Sequence, residues 1–356
     1  MPTKVAIIGT GGIASAHVAA WDAAGDRVER VAAVDIDADR VQAFAEKHGI
    51  PRWYATATEM LARERPDLVH ICTPPALHFP LIVEALEAGA SVLCEKPLCA
   101  SLRQLDEIVA TEERTGRTCV SVVQWRFGSA ARCVAEMIAS GRLGRHTVTT
   151  CQTTWYRDAA YYAVPWRGTW ASELGGVSMG HAIHLIDLML FLSAEWSEIT
   201  AIAETLDRDI EVEDVALGMV RFADRSLASI VSSVLSPRQE TRLRMDFQRA
   251  TVEVVGLYGY GNANWTLTAL DGEADALSGW PPETDIASSH AAQLADVLDA
   301  LEAGRRPLAH AAAVRPTIEL LTALYKSART EAPVLHGSIV PGDPFYEHVS
   351  GLVGSD

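Results

Sequence analysis

The chain has 356 residues, of which 49% are hydrophobic, and a formal net charge of −16. That length suits two domains with a large core and excludes a disordered chain. No basic stripe appears, which argues against nucleic acid or an anionic membrane as partner.

The first predicted strand is Val5-Ala6-Ile7-Ile8, a short apolar run of the kind buried on both faces. It leads into Gly9-Thr10-Gly11-Gly12-Ile13-Ala14. Gly9 permits a tight turn, Gly11 lets the backbone approach a pyrophosphate, and Ala14 fills the third small position, where helix and strand pack closely. A helix is predicted over 14–24, its first amides and its dipole favouring phosphate. The next strand, Val31-Ala32-Ala33-Val34, ends at Asp35, about twenty residues past the turn. The Asp35 carboxylate can accept hydrogen bonds from an adenine-ribose diol. A 2′-phosphate there would meet like charge from Asp35 and Asp37, so NAD is expected over NADP, with Arg40 as the one nearby cation that weakens the preference. The alternative is a glycine-rich turn in an ordinary α/β domain.

Further helices are predicted over 39–48, around Met60 and Leu61 behind a Thr58 cap, over 79–88 and over 102–115. Strands are predicted over 68–72, 91–94 and 118–123. This βα alternation implies a parallel, doubly wound sheet. The character changes after Gln124. A helix ends at Gly141, a helix with His184 follows, and strands over 216–222, 227–234, 242–247 and 251–255 succeed one another with short turns. A helix over 288–303 comes next, closed by Gly304. The expectation is α/β overall: a dinucleotide-binding domain over 1–123 and an α+β domain over 124–356 with a large, mostly antiparallel open sheet. The six cysteines form no C-x-x-C pair, and several sit in apolar runs as small hydrophobes. With no signal peptide or membrane-length apolar run in view, a cytoplasmic protein is expected.

Three constellations can carry chemistry. Glu95-Lys96-Pro97 ends a predicted parallel strand, where ligands bind in open α/β sheets. The Lys96 ammonium can stabilise a developing alkoxide, with Glu95 to orient it. The competing reading is a surface turn. Gly175-Gly176 opens a helix bearing His181, His184 and Asp187. An imidazole suits proton transfer near neutral pH, whereas a packed helix histidine is the plainer reading of His184. No third ligand accompanies His181 and His184, so no metal site is expected. Trp155-Tyr156-Arg157, Tyr161-Tyr162 and Trp166-Arg167 gather aromatic faces and guanidinium forks that suit a polyhydroxylated or partly anionic small molecule, or else pack at an interface.

With these residues, the chain resembles the glucose-fructose oxidoreductase / inositol dehydrogenase (Gfo/Idh/MocA) family over nearly its whole length. The likeness rests on Gly9, Gly11 and Ala14, on Asp35, on Thr73-Pro74-Pro75 with His78, on Glu95-Lys96-Pro97, on Gly175-Gly176 leading to His184 and Asp187, and on the segment from Val314-Arg315-Pro316 to Ala328. The resemblance implies a Rossmann domain and a reversible NAD(P)-dependent oxidation of a secondary alcohol of a sugar, cyclitol or sugar derivative. It implies Lys96 and His184 as the catalytic pair. Gly9, Gly11, Gly12, Ile13, Asp35, Arg40, Thr73, Pro74, His78, Glu95, Lys96 and Gln124 would surround the cofactor. Arg157, Tyr162, Trp166, Arg167, His181 and Asp187 would face substrate. It further implies a cis Lys96-Pro97 bond and a homodimer or homotetramer built through the second domain's sheet. Many relatives carry an aspartate one helical turn before the histidine. Here Gly180 stands there, leaving His181, Asp187 or Arg157 to compensate. Two other readings remain: cleavage of a glycoside by tightly held NAD without net redox, and a non-catalytic NAD-binding regulator.

Overall fold

Six short strands assemble into a wholly parallel sheet, the central ones buried on both faces: β1 (Thr3–Ile8), β2 (Val28–Val34), β3 (Trp53–Tyr54), β4 (Leu68–Ile71), β5 (Ser91–Cys94) and β6 (Cys119–Ser121). The order is β3-β2-β1-β4-β5-β6. Strand order therefore reverses between β1 and β4, the place where open α/β sheets bind ligands. This computed structural model describes residues 1–352 and divides into two units. The first joins Met1–Val122 to His290–Arg315, and the second holds Val123–Ser289 and the chain from Pro316.

The first unit's helices are α1 (Ala14–Ala24), α2 (Ala38–His48), α3 (Ala57–Glu64), α4 (His78–Glu87) and α5 (Leu102–Thr115). Local chemistry sets their ends. The Asp37 and Ser101 side chains accept the amides of Arg40 and Gln104, and Gly49 and Gly116 end α2 and α5 in the left-handed conformation. Thr56, not Thr58, caps α3 by accepting the Glu59 amide, because the helix starts at Ala57, two residues earlier than a Thr58 cap would allow.

The second unit contains α6 (Ser129–Ala139), α7 (Ala159–Tyr162), α8 (Ile183–Phe191), most of α10 (Arg315–Thr330) and α11 (Pro344–Glu347). Its eight strands are β7 (His146–Tyr156), β8 (Trp196–Glu204), β9 (Val215–Phe222), β10 (Leu227–Ser233), β11 (Leu235–Phe247), β12 (Ala250–Gly256), β13 (Trp265–Ala269) and β14 (Val334–Leu335). Their order is β13-β12-β11-β7-β10-β9-β8-β14, and every pairing but the parallel β7–β10 is antiparallel.

Helix α9 (His290–Glu302) departs from the division at residue 123, since it belongs to the first unit. Leu294, Val297 and Leu298 are buried, the Gln293 amide donates to the Ser121 carbonyl at 2.7 Å, and Arg27 pairs with Asp299 at 2.7 Å and Glu302 at 3.0 Å. All six cysteines are free thiols, and no helix among the described residues is long and apolar enough to cross a membrane.

Candidate functional site

In the first unit, β1 delivers its glycine turn to the carboxyl edge of the sheet. Gly9 has φ +90°, and a Cβ there would come within 2.8 Å of the Cys72 backbone, so only glycine fits. Cβ atoms built on Gly11 and Gly12 would meet nothing within 4 Å, and no side chain caps the start of α1. Bare glycines before uncapped amides are what a pyrophosphate needs. Ile13, beside them, is exposed. Asp35 ends β2 with its carboxylate accepting from the Thr10 amide and hydroxyl, both at 2.8 Å, and from the Asp37 amide at 3.1 Å. Arg40 pairs with the same carboxylate. Burial alone would raise its pKa, but Arg40 and the Thr10 donors hold it down at about 2. Arg40 is thus tied to Asp35. Ile36, next to Asp35, stands 92% exposed, an apolar surface that the sequence reading did not single out.

After β4, the Thr73 hydroxyl is buried without a hydrogen-bond partner. Pro74 precedes a short turn of helix at Pro75–Leu77. His78 is fully buried, one ring nitrogen 2.7 Å from the Pro97 carbonyl and the other 2.9 Å from that of Thr73. Its ring lies between the two loops, beside the Pro97 and Thr73 carbonyls, and its single N–H serves one of them. After β5, Glu95 is buried and Lys96 half-buried, and the Lys96–Pro97 bond is cis. The orphaned Thr73 hydroxyl, the open glycines and the Asp35 acceptor fit a dinucleotide.

In the second unit, Gln124 is buried with its side-chain carbonyl unpartnered. Trp125 stacks near His184, centroids 5.2 Å apart and planes at 34°. His184 itself is buried. It follows a π-helical turn over Ser178–Ala182, a feature that recurs at functional sites. A Cβ on Gly176 would come within 1.8 Å of the Glu213 carbonyl, so this glycine is forced by close approach. The Glu213 carboxylate accepts the Gly176 and Ser178 amides at 2.9 Å and the Tyr325 hydroxyl at 2.9 Å. Sequence reasoning missed Glu213, which seats the turn carrying His181 and His184.

Asp187, which the resemblance sets toward substrate, has its carboxylate engaged inside the protein. It is wholly buried, accepting from Arg126 Nε at 2.6 Å and from the Thr317 hydroxyl at 2.8 Å. The charge that resemblance assigned to substrate neutralises a buried arginine instead. Arg157 Nε donates to His181 Nε2 at 3.1 Å, and its guanidinium lies 4.9 Å from the Trp155 ring and 5.2 Å from that of Tyr161. Arg167 lies 3.8 Å over Tyr161 and 4.3 Å over Trp166, and pairs with Glu173 at 3.1 Å. Tyr162 packs edge-on against Tyr161, and burial pushes its hydroxyl pKa up. A Cβ on Gly180 would stand 3.5 Å from Glu173 Oε1. A second missed residue, buried Glu173, therefore brings a carboxylate over the glycine.

Residues 3–123 match the model of an oxidoreductase family with an NAD-binding Rossmann fold, and residues 131–259 match the GFO/IDH/MocA C-terminal domain. The chain is 31% identical to D-glucoside 3-dehydrogenase of Escherichia coli over 54% of each protein. It is 28% identical to D-apiose dehydrogenase of Paraburkholderia graminis over 72% of this chain and 66% of that one. These matches thus span about half to two thirds of the relatives' lengths. A solved WlbA dehydrogenase from Chromobacterium violaceum, in complex with NADH and UDP-GlcNAcA, superposes with a TM-score of 0.83 at 28% identity, covering 95% of this chain and 97% of that one. The chain belongs to the Gfo/Idh/MocA family of NAD-binding oxidoreductases.

Proposed function

We propose that the protein reversibly oxidises a secondary hydroxyl of a sugar, cyclitol or sugar derivative to a ketone. NAD, when bound, supplies the hydride acceptor. Lys96 polarises the reacting oxygen and His184 takes up its proton. The observation that carries this reading is the half-buried Lys96 at the carboxyl end of β5, one strand from the strand-order reversal. Asp35 favours NAD over NADP by occupying the place of a 2′-phosphate. Arg157, which forms no ion pair among the described residues, suits a sugar with an anionic substituent, such as a uronate. The UDP-GlcNAcA bound by the WlbA relative is of that kind.

The oligomer we propose uses the second unit's sheet. Ile202, Leu217 and Met219 are exposed on β8 and β9, and Ile202 and Leu217 pair across the strands. An apolar row of this kind on a sheet face marks an interaction surface.

The test is NADH absorbance across neutral sugars, uronates and inositols. Turnover should fall by about 10²–10⁴ in His184→Ala and further in Lys96→Ala, with NADH affinity little changed. Near wild-type turnover in Lys96→Ala would end the assignment. Sugar release without net NADH would favour glycoside cleavage, and NADH binding with no turnover of any kind would favour a regulator.

A further inference from the structure

Behind Lys96 lies a buried chain of aromatic nitrogens, wholly within the first unit. Trp21 Nε1, on α1, lies 3.0 Å from His70 Nε2, on β4. His70 Nδ1 lies 2.8 Å from Nδ1 of His17, and His17 Nε2 lies 3.0 Å from Glu95 Oε1. His290 Nε2, at the start of α9, reaches the same Oε1 at 3.0 Å, and the Lys96 amide donates to Oε2 at 3.2 Å. Trp21, His17, His70 and Glu95 are buried.

The indole fixes every proton in this chain. An indole nitrogen only donates, so His70 Nε2 must accept. Burial drives the pKa of His70 well below its ordinary value and that of His17 below it, so both rings are neutral. The one proton of His70 is then on Nδ1 and is donated to His17 Nδ1. The one proton of His17 is left on Nε2 and is donated to Glu95. Any other arrangement sets two donors, or two lone pairs, face to face inside the protein. Burial alone would raise the Glu95 pKa, but the donors from His17 and His290 hold it well below the usual carboxylate range.

We propose that Trp21, His70, His17 and His290 are positioning residues that set Lys96 by holding the Glu95 carboxylate, ionised and in one orientation, against the Lys96 amide. This rests on the assignment of Lys96 above. It also decides between two readings of His17, Glu95 and His290, whose ligand atoms lie within 4.8 Å of one another and could hold a cation. The proton forced onto His17 Nε2 occupies the lone pair that a cation would need.

The test exploits the polarity of the chain. A glutamine amide carries an acceptor and a donor, as the His17 tautomer does. His17→Gln should keep kcat on the substrate found above within about threefold. His17→Leu should lose on the order of tenfold or more, the usual consequence of dropping a hydrogen bond to a charged group. NADH affinity should be unchanged in both. Equal kcat in the two variants, whether kept or lost, overturns the proposal. If His17→Leu does not fold, Trp21→Phe leaves every histidine in place and removes only the indole donor. In the wild type, the nitrogen-15 spectrum of labelled histidine should show His70 protonated only at Nδ1 and His17 only at Nε2. In Trp21→Phe it should show mixed tautomers. Mixed tautomers in the wild type, or one equivalent of Zn²⁺ bound and then lost in His290→Ala, overturn the proposal. Turnover retained in Lys96→Ala instead defeats the catalytic assignment, and the spectrum still reads the chain.

Discussion

Asp187→Asn separates a structural acid from a substrate-binding one. The wild-type carboxylate takes two donors from Arg126 and one from Thr317, with no solvent exposure. Asparagine keeps the shape and removes the charge, which strands the buried Arg126 guanidinium. Breaking a buried pair from one side costs about 3–5 kcal/mol. Thr317→Val removes one hydrogen bond to a charged acceptor, about 1.5–3 kcal/mol. In a unit of this size 1 kcal/mol moves Tm by about 2–4 °C. Calorimetry should therefore show Asp187→Asn melting roughly 6–20 °C early, and Thr317→Val shifted by about half as much. At a temperature where both variants are folded, KM for the polyol should stay close to wild type. A Tm within about 2 °C of wild type, together with a tenfold rise in KM, would refute the structural role and return Asp187 to the substrate.

Asp35→Ala should weaken NADH binding by roughly 10–100-fold, the loss of one or two hydrogen bonds to a charged acceptor, while freeing Arg40 to meet a 2′-phosphate. Fluorescence titration with NADH and NADPH checks it, and equal affinities in the wild type would contradict the preference. Glu112 is buried, accepting the Cys119 amide, and burial raises its pKa to about 7. A raised carboxyl is protonated in the folded state over a range where the unfolded chain ionises. The burden on stability therefore grows from about pH 4.5 to 7 and then stays constant. Glu112→Gln should stabilise by on the order of 1–2 kcal/mol at pH 8 and by almost nothing at pH 4, and an equal gain at both would be wrong for this cause. Met219→Asp should reduce the particle mass seen by light scattering to that of one chain, whereas a wild type already of that mass would remove the proposed interface.

Features set by near neighbours were legible in the sequence. The Ser101 and Gly116 ends of the helix over 102–115 depend on residues a few positions away, and the Val5–Ile8 run and the turn at Gly9 declare themselves by residue type, although the Cys72 backbone that leaves Gly9 no room for a side chain is distant in sequence. β7 was not legible, because its inward row of Thr149, Cys151, Thr153 and Trp155 alternates with further threonines and a polar glutamine. Hydropathy does not separate such faces, and only the neighbouring strands decide them. The return of α9 to the first unit was equally hidden, since an amphipathic helix declares that it has a partner but not which sheet provides it.

The site divides in the same way. Residue types that chemistry demands at strand ends, such as Asp35 and Lys96, stood out. Position along a helix says less about a carboxylate, whose role is set by what reaches it through space. Asp187 lies three residues from His184, yet it is met by Arg126 and Thr317, 61 and 130 residues away. Glu173 lies outside that helix, yet its carboxylate stands 3.5 Å from where a Gly180 side chain would begin. Replacing that glycine with an acid would put a second carboxylate beside one that Arg167 already pairs.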